Sequence, residues 1–466
     1  MGLLSTFSLA SQSLRALQMA IQTTGHNVAN AATPGFARQR VEVQTAFPSF
    51  EGGVYLGQGV NVTGVRSVLD HFVEAELLTL NGSVGYAEAE QRALAGVSDA
   101  FPTSGGVDAS LSAFFGALSD LSNNPSGLAE RVSLTGKAKA LGESFARTRE
   151  VLTSLQGNLD QDLESFAKRV NVLASQIATL NHQINSTETA NQPANDFRDQ
   201  RQTLLQEIVN LTGASVREES DGQATVIADG LLLVSADRSA SLDTSQVDPL
   251  TGFRMITYNT PEGLSFDASS IFQGGQIGAT LNMRNVEVQG YIDRLDQLAK
   301  TLVDEVNQQH ALGFDLTGAA GGSFFTPIVS VTGAASAIQV DNAVAADPRL
   351  IAAAGSAGGV PGDNANALAL VNLQSTAFAA LGGMTLNDNF LALAGDVGAR
   401  GQDTEGKFNF QKDLLTQTQA RRESVSGVNT DEEMTNLLLF QRSFEASSRM
   451  IVATNEMYQS LIDMVR

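Results

Sequence analysis

Cysteine is absent from the 466 residues, which excludes disulfides, thiolate nucleophiles and Cys-ligated metals. That removes a disulfide scaffold but not secretion. Positive charge is scarce: 29 Lys and Arg stand against 50 Asp and Glu, a net charge of −21, and no basic run occurs. Nucleic acid and anionic membrane are therefore excluded as partners, because phosphate binding needs clustered cations. No apolar run of about 18 residues exists, so no membrane insertion is expected. The N-terminus lacks a basic n-region, its first cation being Arg15, and its apolar residues are spaced, so it does not read as a cleavable signal. This composition suits a soluble cytoplasmic protein, and equally one exported without a signal. His26, His71, His182 and His310 are scattered, with no metal-binding spacing. Gly57, Gly59 and Gly64 form neither a P-loop nor G-x-G-x-x-G, and G-x-S-x-G is missing. No catalytic residue, cofactor or metal is expected, and the chain is not read as an enzyme.

What is present is a pair of heptad stripes at the two ends. Phe7, Leu14, Ile21 and Val28 lie seven apart, with Ala10, Leu17 and Thr24 three places later. Near the C-terminus Leu437, Phe444, Ile451, Tyr458 and Val465 repeat the spacing, with Phe440, Ser447, Thr454 and Leu461 between them. A narrow apolar stripe cannot bury itself, so the two helices are expected to pair with each other and with copies of themselves. Small residues at Ala10, Thr24, Ser447 and Thr454 would let helices approach closely but leave the seam weak. The first helix should begin near Ser5 or Thr6 and stop before Pro34.

Between the ends the texture alternates. Residues 37–68 read as a small β-hairpin, and helical periodicity follows over 70–101 and 110–121. The longest stripe runs through Leu152, Leu155, Leu159, Leu163, Phe166, Val170, Leu173, Ile177, Leu180 and Ile184, predicting a long helix in an antiparallel bundle. Asn195 is a candidate cap for a helix reaching Leu211. After Gly213, short β-prone segments lie between Asp, Gly, Ser and Pro clusters, as in a small β insertion. Helical patterns resume from about Gly278 to Val306, over 363–379 and over 386–427, while 313–362 is rich in Gly, Ala and Asp and reads as loop, short strands or both.

The expected fold is mainly α and multidomain. Terminal helices over 1–36 and 428–466 form a coiled coil, and a discontinuous helical bundle covers 37–213 and 281–427. A β-rich outer domain is inserted at 214–280, and 313–362 is open to belonging to it. Asp431-Glu432-Glu433 reads as a helix start capped by Asn429 or Thr430, with capping-box spacing from Thr430 to Glu433, rather than as a reactive cluster. Asp196, Arg198, Asp199 and Arg201 read as a salt-linked brace.

Asn27-Val28-Ala29-Asn30-Ala31-Ala32-Thr33-Pro34-Gly35-Phe36 resembles the N-terminal signature of bacterial flagellar rod, hook and hook-associated proteins, and residues 426–438 resemble their C-terminal counterpart. Asn195-Asp196-Phe197-Arg198-Asp199-Gln200-Arg201, Gly274-Gly275-Gln276-Ile277-Gly278 and residues 307–318 are similar to the family of the first hook-associated protein, which forms the hook-filament junction. Phe197 stands where that family usually has an aliphatic residue.

The resemblance implies a structural protein exported unfolded through the flagellar type III apparatus to the extracellular flagellum, monomeric before assembly and then part of a ring. It implies hook protein and the second junction protein as neighbours, and a cytoplasmic chaperone on the C-terminal helix. The expected assembly residues are Phe7, Leu14, Leu17, Ile21, Val28, Asn30, Pro34, Gly35, Leu437, Phe440, Phe444, Ile451, Tyr458 and Leu461. Another axial protein of hook or rod would share the ends; a cytoplasmic coiled-coil adaptor and a secreted hydrolase are the readings of other classes.

Overall fold

The computed structural model describes residues 3–51, 53–102, 105–190 and 192–465. Helix α1 (Leu3–Asn30) is followed by β1 (Gln39–Thr45), β2 (Ser49–Glu51), β3 (Val54–Leu56) and β4 (Val60–Ser67). Strands β1 and β4 pair antiparallel with Val41 opposite Val65, and β2 and β3 pair beyond them with Phe50 opposite Tyr55. The result is a two-tier arm, longer than the simple hairpin expected.

Helices α2 (His71–Asp99), α3 (Val107–Asn123), α4 (Leu128–Thr189) and α5 (Asn195–Thr212) come next. The Asp70 carboxylate caps α2 by accepting from the Phe72 and Val73 N–H groups at 3.0 and 3.3 Å. Asn195 does not cap α5: it is the first helical residue and donates instead to the Val65 carbonyl at 2.9 Å. The 62 residues of α4 make a rod of roughly 90 Å at ~1.5 Å rise per residue, starting well before the stripe that announced it.

Strands β5 (Ser215–Glu218), β6 (Ala224–Ala228), β7 (Leu231–Ser235) and β8 (Arg238–Ser239) form one antiparallel sheet. A second sheet takes β9 (Ser241–Asp243), β10 (Thr257–Asn259) and β11 (Ser265–Asp267) in the order β11-β10-β9. Two asparagines of α4 hold them there. Asn181 exchanges hydrogen bonds with Ala224 N and O at 3.0 and 2.8 Å, and Asn171 does the same with Leu242 at 2.7 and 2.8 Å.

Helix α6 (Gly275–Asn282) leads through a π-helical turn, Met283–Glu287, into α7 (Val288–Ala311). The widened turn leaves the Arg284 carbonyl for the Gln156 amide at 2.9 Å, and Arg284 itself reaches the Asp160 carboxylate of α4. Short helices α8 (Ala334–Ala337), α9 (Asn342–Ala346) and α10 (Ala365–Asn372) precede α11 (Leu386–Ser426) and α12 (Thr430–Val465).

Among the described residues there are two apolar cores, and α4 runs through both. One joins α3, α7, the first part of α4 and the start of α11; the other joins the second part of α4 to α5, α6 and the strands. The irregular stretch over 313–362 packs into the first, burying Phe324, Phe325, Ile338 and Ile351 among helices rather than strands. Side chains substitute for regular ladders in fixing it. Asn307 accepts from the Phe324 and Phe325 N–H groups at 2.9 and 2.8 Å, and Asp296 from Gly333 and Ala335 at 2.7 and 2.9 Å. Among the described residues, no helix is long and apolar enough to cross a membrane.

Candidate assembly site

The two terminal helices pack against each other and run antiparallel. The hydroxyls of Ser13 and Ser447 are 3.2 Å apart, and Asn27 donates to Glu433 at 3.0 Å, so fourteen residues forward on α1 match fourteen back on α12. Continuing that register brings the start of α1 opposite Met457.

The residues most buried in this layer include Ala10, Ala16, Thr23, Thr24 and Thr454. The small residues expected to weaken the seam are those that bring the helices together. Leu14, Leu17, Ile21, Val28, Leu437, Phe440 and Ile451 are half-buried. Phe7, Phe444, Tyr458 and Leu461 are between 36% and 49% exposed, so within one chain they form no closed core. The physical reason is geometric: close approach through alanine, serine and threonine turns the bulky positions to the flanks of the pair.

Where the helices meet the body, polar groups lock the joint. The Asn27 side chain accepts from the Gln39 N–H and donates to the Gln39 carbonyl, both at 2.9 Å. Buried Glu433 receives Asn27 on one oxygen and Arg38 on the other, the latter at 2.8 Å. The start of α12 is capped by Asn429, which accepts from Asp431 and Glu432 N–H at 3.0 and 3.3 Å. The Thr430–Glu433 capping box is thus replaced, because Glu433 is committed to the joint. The Arg38 N–H donates to the Ser426 carbonyl at 2.8 Å, joining the two terminal signatures by main chain.

The aspartate-rich start of α5 serves two sides. Its carboxylates face the joint: Asp199 accepts from the Ala37 N–H at 3.0 Å and Asp196 from the Gln39 amide at 2.8 Å. Its guanidiniums face the β insertion. Arg198 binds Glu188 at 2.8 Å and reaches Glu218, while Arg201 binds Asn181 and the Gly222 carbonyl at 2.9 and 2.7 Å.

Gly35 has φ +80°, and a Cβ there would lie 2.5 Å from Thr203 Oγ1, so glycine is required on both counts. Its carbonyl accepts from Arg422 at 2.9 Å, and Arg422 also binds Glu74 at 2.6 Å. Asn30 hydrogen bonds back to the His26 carbonyl at 3.1 Å, and Pro34 is exposed beside a cleft of about 620 Å³ between α1, α4 and α5. Asn27, Arg38, Gln39, Glu74, Thr203 and Arg422 were not singled out by the sequence pattern. Asn27 lay inside the recognised signature; the others carried no local signal.

Two buried groups respond to pH in opposite senses. Burial raises the Asp199 carboxyl to about 6, partly offset by the Ala37 hydrogen bond and Arg422. The folded joint therefore holds that proton more tightly than the unfolded chain, and its contribution to stability is lost as pH rises from about 4 through about 6. Burial lowers the pKa of His310, whose Nδ1–H donates to the Gly322 carbonyl at 2.8 Å while Nε2 accepts from Ala352 N–H at 2.9 Å. Its contribution is present above the unfolded value of about 6.5 and is lost as pH falls. Hydrogen exchange between pH 7 and 5, corrected for intrinsic rates, should show Ala37 gaining protection and Ala352 losing it. Asp199→Asn should abolish only the first trend; an unchanged Ala37 response in that variant would contradict the assignment.

Comparison with known proteins bears on this layered arrangement. Residues 97–325 match the family described as the helical domain of flagellar hook-associated protein FlgK, and residues 421–464 match the C-terminal family of the flagellar basal-body rod FlgEFG proteins. The chain is thus a structural component of the bacterial flagellum. Over nearly its full length it is similar to flagellar hook-associated protein 1, or FlgK. The flagellar hook-associated protein 1 of Bacillus subtilis (strain 168) is 29% identical over 499 residues, covering 97% of each chain. That of Escherichia coli (strain K12) is 24% identical over 544 residues, covering 98% of this chain and 99% of its own. The solved flagellar hook junction protein FlgK from Burkholderia pseudomallei shares the fold, with a TM-score of 0.66 and 17% identity, covering 76% of this chain and 100% of that one.

Proposed function

We propose that this chain is exported unfolded through the flagellar type III apparatus and assembles outside the cell as a ring between hook and filament, with no catalytic activity. The observation that carries the reading is the incomplete terminal layer. A helix pair that closes through small residues and leaves Phe7, Phe444, Tyr458 and Leu461 on its flanks is suited to finish its packing against other copies. Hook protein on one side and the second junction protein on the other are the neighbours that such a ring requires. A cytoplasmic chaperone on α12 would cover the same apolar residues before export. The buried titratable groups support a structural role: His310, Asp296 and Asp199 all hold main-chain N–H or carbonyl groups in place.

Deleting the gene and staining flagella tests the placement. Hooks without filaments, with flagellin shed into the medium, are the expected outcome; filaments of normal number and length would refute it. Within the chain, Ile451→Asp should leave the thermal transition of the body unchanged while preventing incorporation, because Ile451 lies in the terminal layer and belongs to neither core. Loss of the whole transition would show that the layers do not fold separately.

A further inference from the structure

The β-arm ends in a cluster of apolar side chains that are left uncovered among the described residues. Phe47 is 94% exposed, Tyr55 73% and Phe50 62%, with Val43 and Val54 more than half exposed beside them. Phe50 and Tyr55 stack at 4.9 Å between ring centroids, so the tip presents a formed aromatic surface. Such a patch on a protruding hairpin is unusual for a soluble surface and marks a contact site. Glu51 is the only charged residue between Ala46 and Gly59.

A surface of matching character exists on the same chain. Along its length α12 exposes Leu438, Leu439, Met450 and Val452, each 44–58% accessible. The arm lies on α1, where the backbone at Gly59 abuts Leu9 and Gln12, and the base of the arm borders the groove that runs to Phe440. Within the single chain, the tip side chains and these α12 residues are both exposed.

We propose that the arm tip of one copy docks on the outward apolar surface of α12 in a second copy. The inference rests on the ring reading given above and adds the element that would join neighbours. Charge favours a second copy as the occupant. Residues 1–68 and 428–466 together carry seven basic and eight acidic side chains, whereas 69–427 carry 22 and 42. Copies of so acidic a chain repel through their bodies, and only the terminal layer and the arm are close enough to neutral to meet. Closer in, Arg40 on the arm and Glu445 and Glu456 on α12 are exposed without an ion-pair partner among the described residues. Donor and acceptor are also different patches on one chain. A contact of that kind is heterologous, and it propagates into a ring or helix instead of closing as a dimer.

The test is a photoreactive benzoyl-phenylalanine at position 47 of the full chain, irradiated in isolated hook-basal bodies and flagella and mapped by mass spectrometry. The expected product is a dimer of this chain with the link inside residues 430–465. Links to a different polypeptide, or none, would overturn the proposal. In parallel, Phe47→Ser/Phe50→Ser/Tyr55→Ser, whose side chains are too exposed to hold the fold, should reduce filament-bearing hooks at least tenfold. If wild-type chain sits at hook tips yet the triple variant supports normal filaments, the arm proposal fails and the junction reading stands. If wild-type chain is absent from hook tips, both fail.

Discussion

Asn27→Ala is expected to free the terminal helices from the body while leaving the body folded. The side chain satisfies Gln39 in both directions at 2.9 Å and donates to Glu433 at 3.0 Å. Alanine would leave a buried N–H and a buried carbonyl without partners and the Glu433 carboxylate with Arg38 alone. At about 1–3 kcal/mol for each group left unsatisfied, the terminal layer should lose roughly 3–5 kcal/mol. That layer belongs to neither apolar core, so the loss is enough to undock it. Hydrogen exchange should show protection lost over residues 10–27 and 433–454, with the main thermal transition moving by no more than about 1–2 °C. Motility should fail, because the ends cannot be presented as a paired unit. A variant that keeps its protection over 10–27 would show that helix pairing alone holds the ends.

Asp160→Ala should give the largest fall in stability of the body. Asp160 on α4 is buried, accepts from Arg254 N–H and Nη1 at 2.8 and 2.5 Å, and pairs with Arg284. Arg284 is only 3% exposed and keeps Asn285 and the Arg254 carbonyl, at 2.8 and 3.2 Å, as its other partners. Removing the carboxylate strands a buried guanidinium, a change that costs about 3–5 kcal/mol. The expected readout is a fall in melting temperature of roughly 5–10 °C. Asp160→Leu/Arg284→Met should recover most of it, since an apolar pair of similar volume carries no desolvation penalty. A shift of less than about 1 °C in the single variant would show that the π-helical turn is held by packing alone.

Much of this organisation was legible in local spacing. The seven-residue repeats at both ends mark α1 and α12, because an apolar stripe fixes which face a helix must hide. The 152–184 stripe marks most of α4 for the same reason, and the alternation in 40–44 and 60–65 marks β1 and β4. Less legible was the first part of α4: Arg131, Leu134, Ala138, Leu141 and Phe145 are buried there, yet a buried arginine and spaced small residues dilute the pattern. The irregular segment over 313–362 was unreadable because Asn307, Asp296 and His310 secure it, and their partners are main-chain groups 12 to 42 residues away.

The joint shows the same division. Asp196, Arg198, Asp199 and Arg201 could be read as a brace from their charges, but not that the carboxylates serve α1 and the guanidiniums the β insertion. That depends on the direction each side chain takes from α5 once both neighbours are in place. Glu433 had the spacing of a capping residue, and the fold spends it on Arg38 and Asn27.

By itself, then, the sequence determined that the chain has heptad ends around a helical body with a β insertion, and that without cysteine it has no thiol chemistry. Periodicity and composition are local properties, available before any packing. Only the tertiary structure decided the antiparallel register through Ser13 and Ser447, the outward turn of Phe7, Phe444, Tyr458 and Leu461, and the solvent-facing arm tip. Those depend on how closely two helices approach and on what is left to cover them, which side-chain volume settles between elements more than 400 residues apart in the chain.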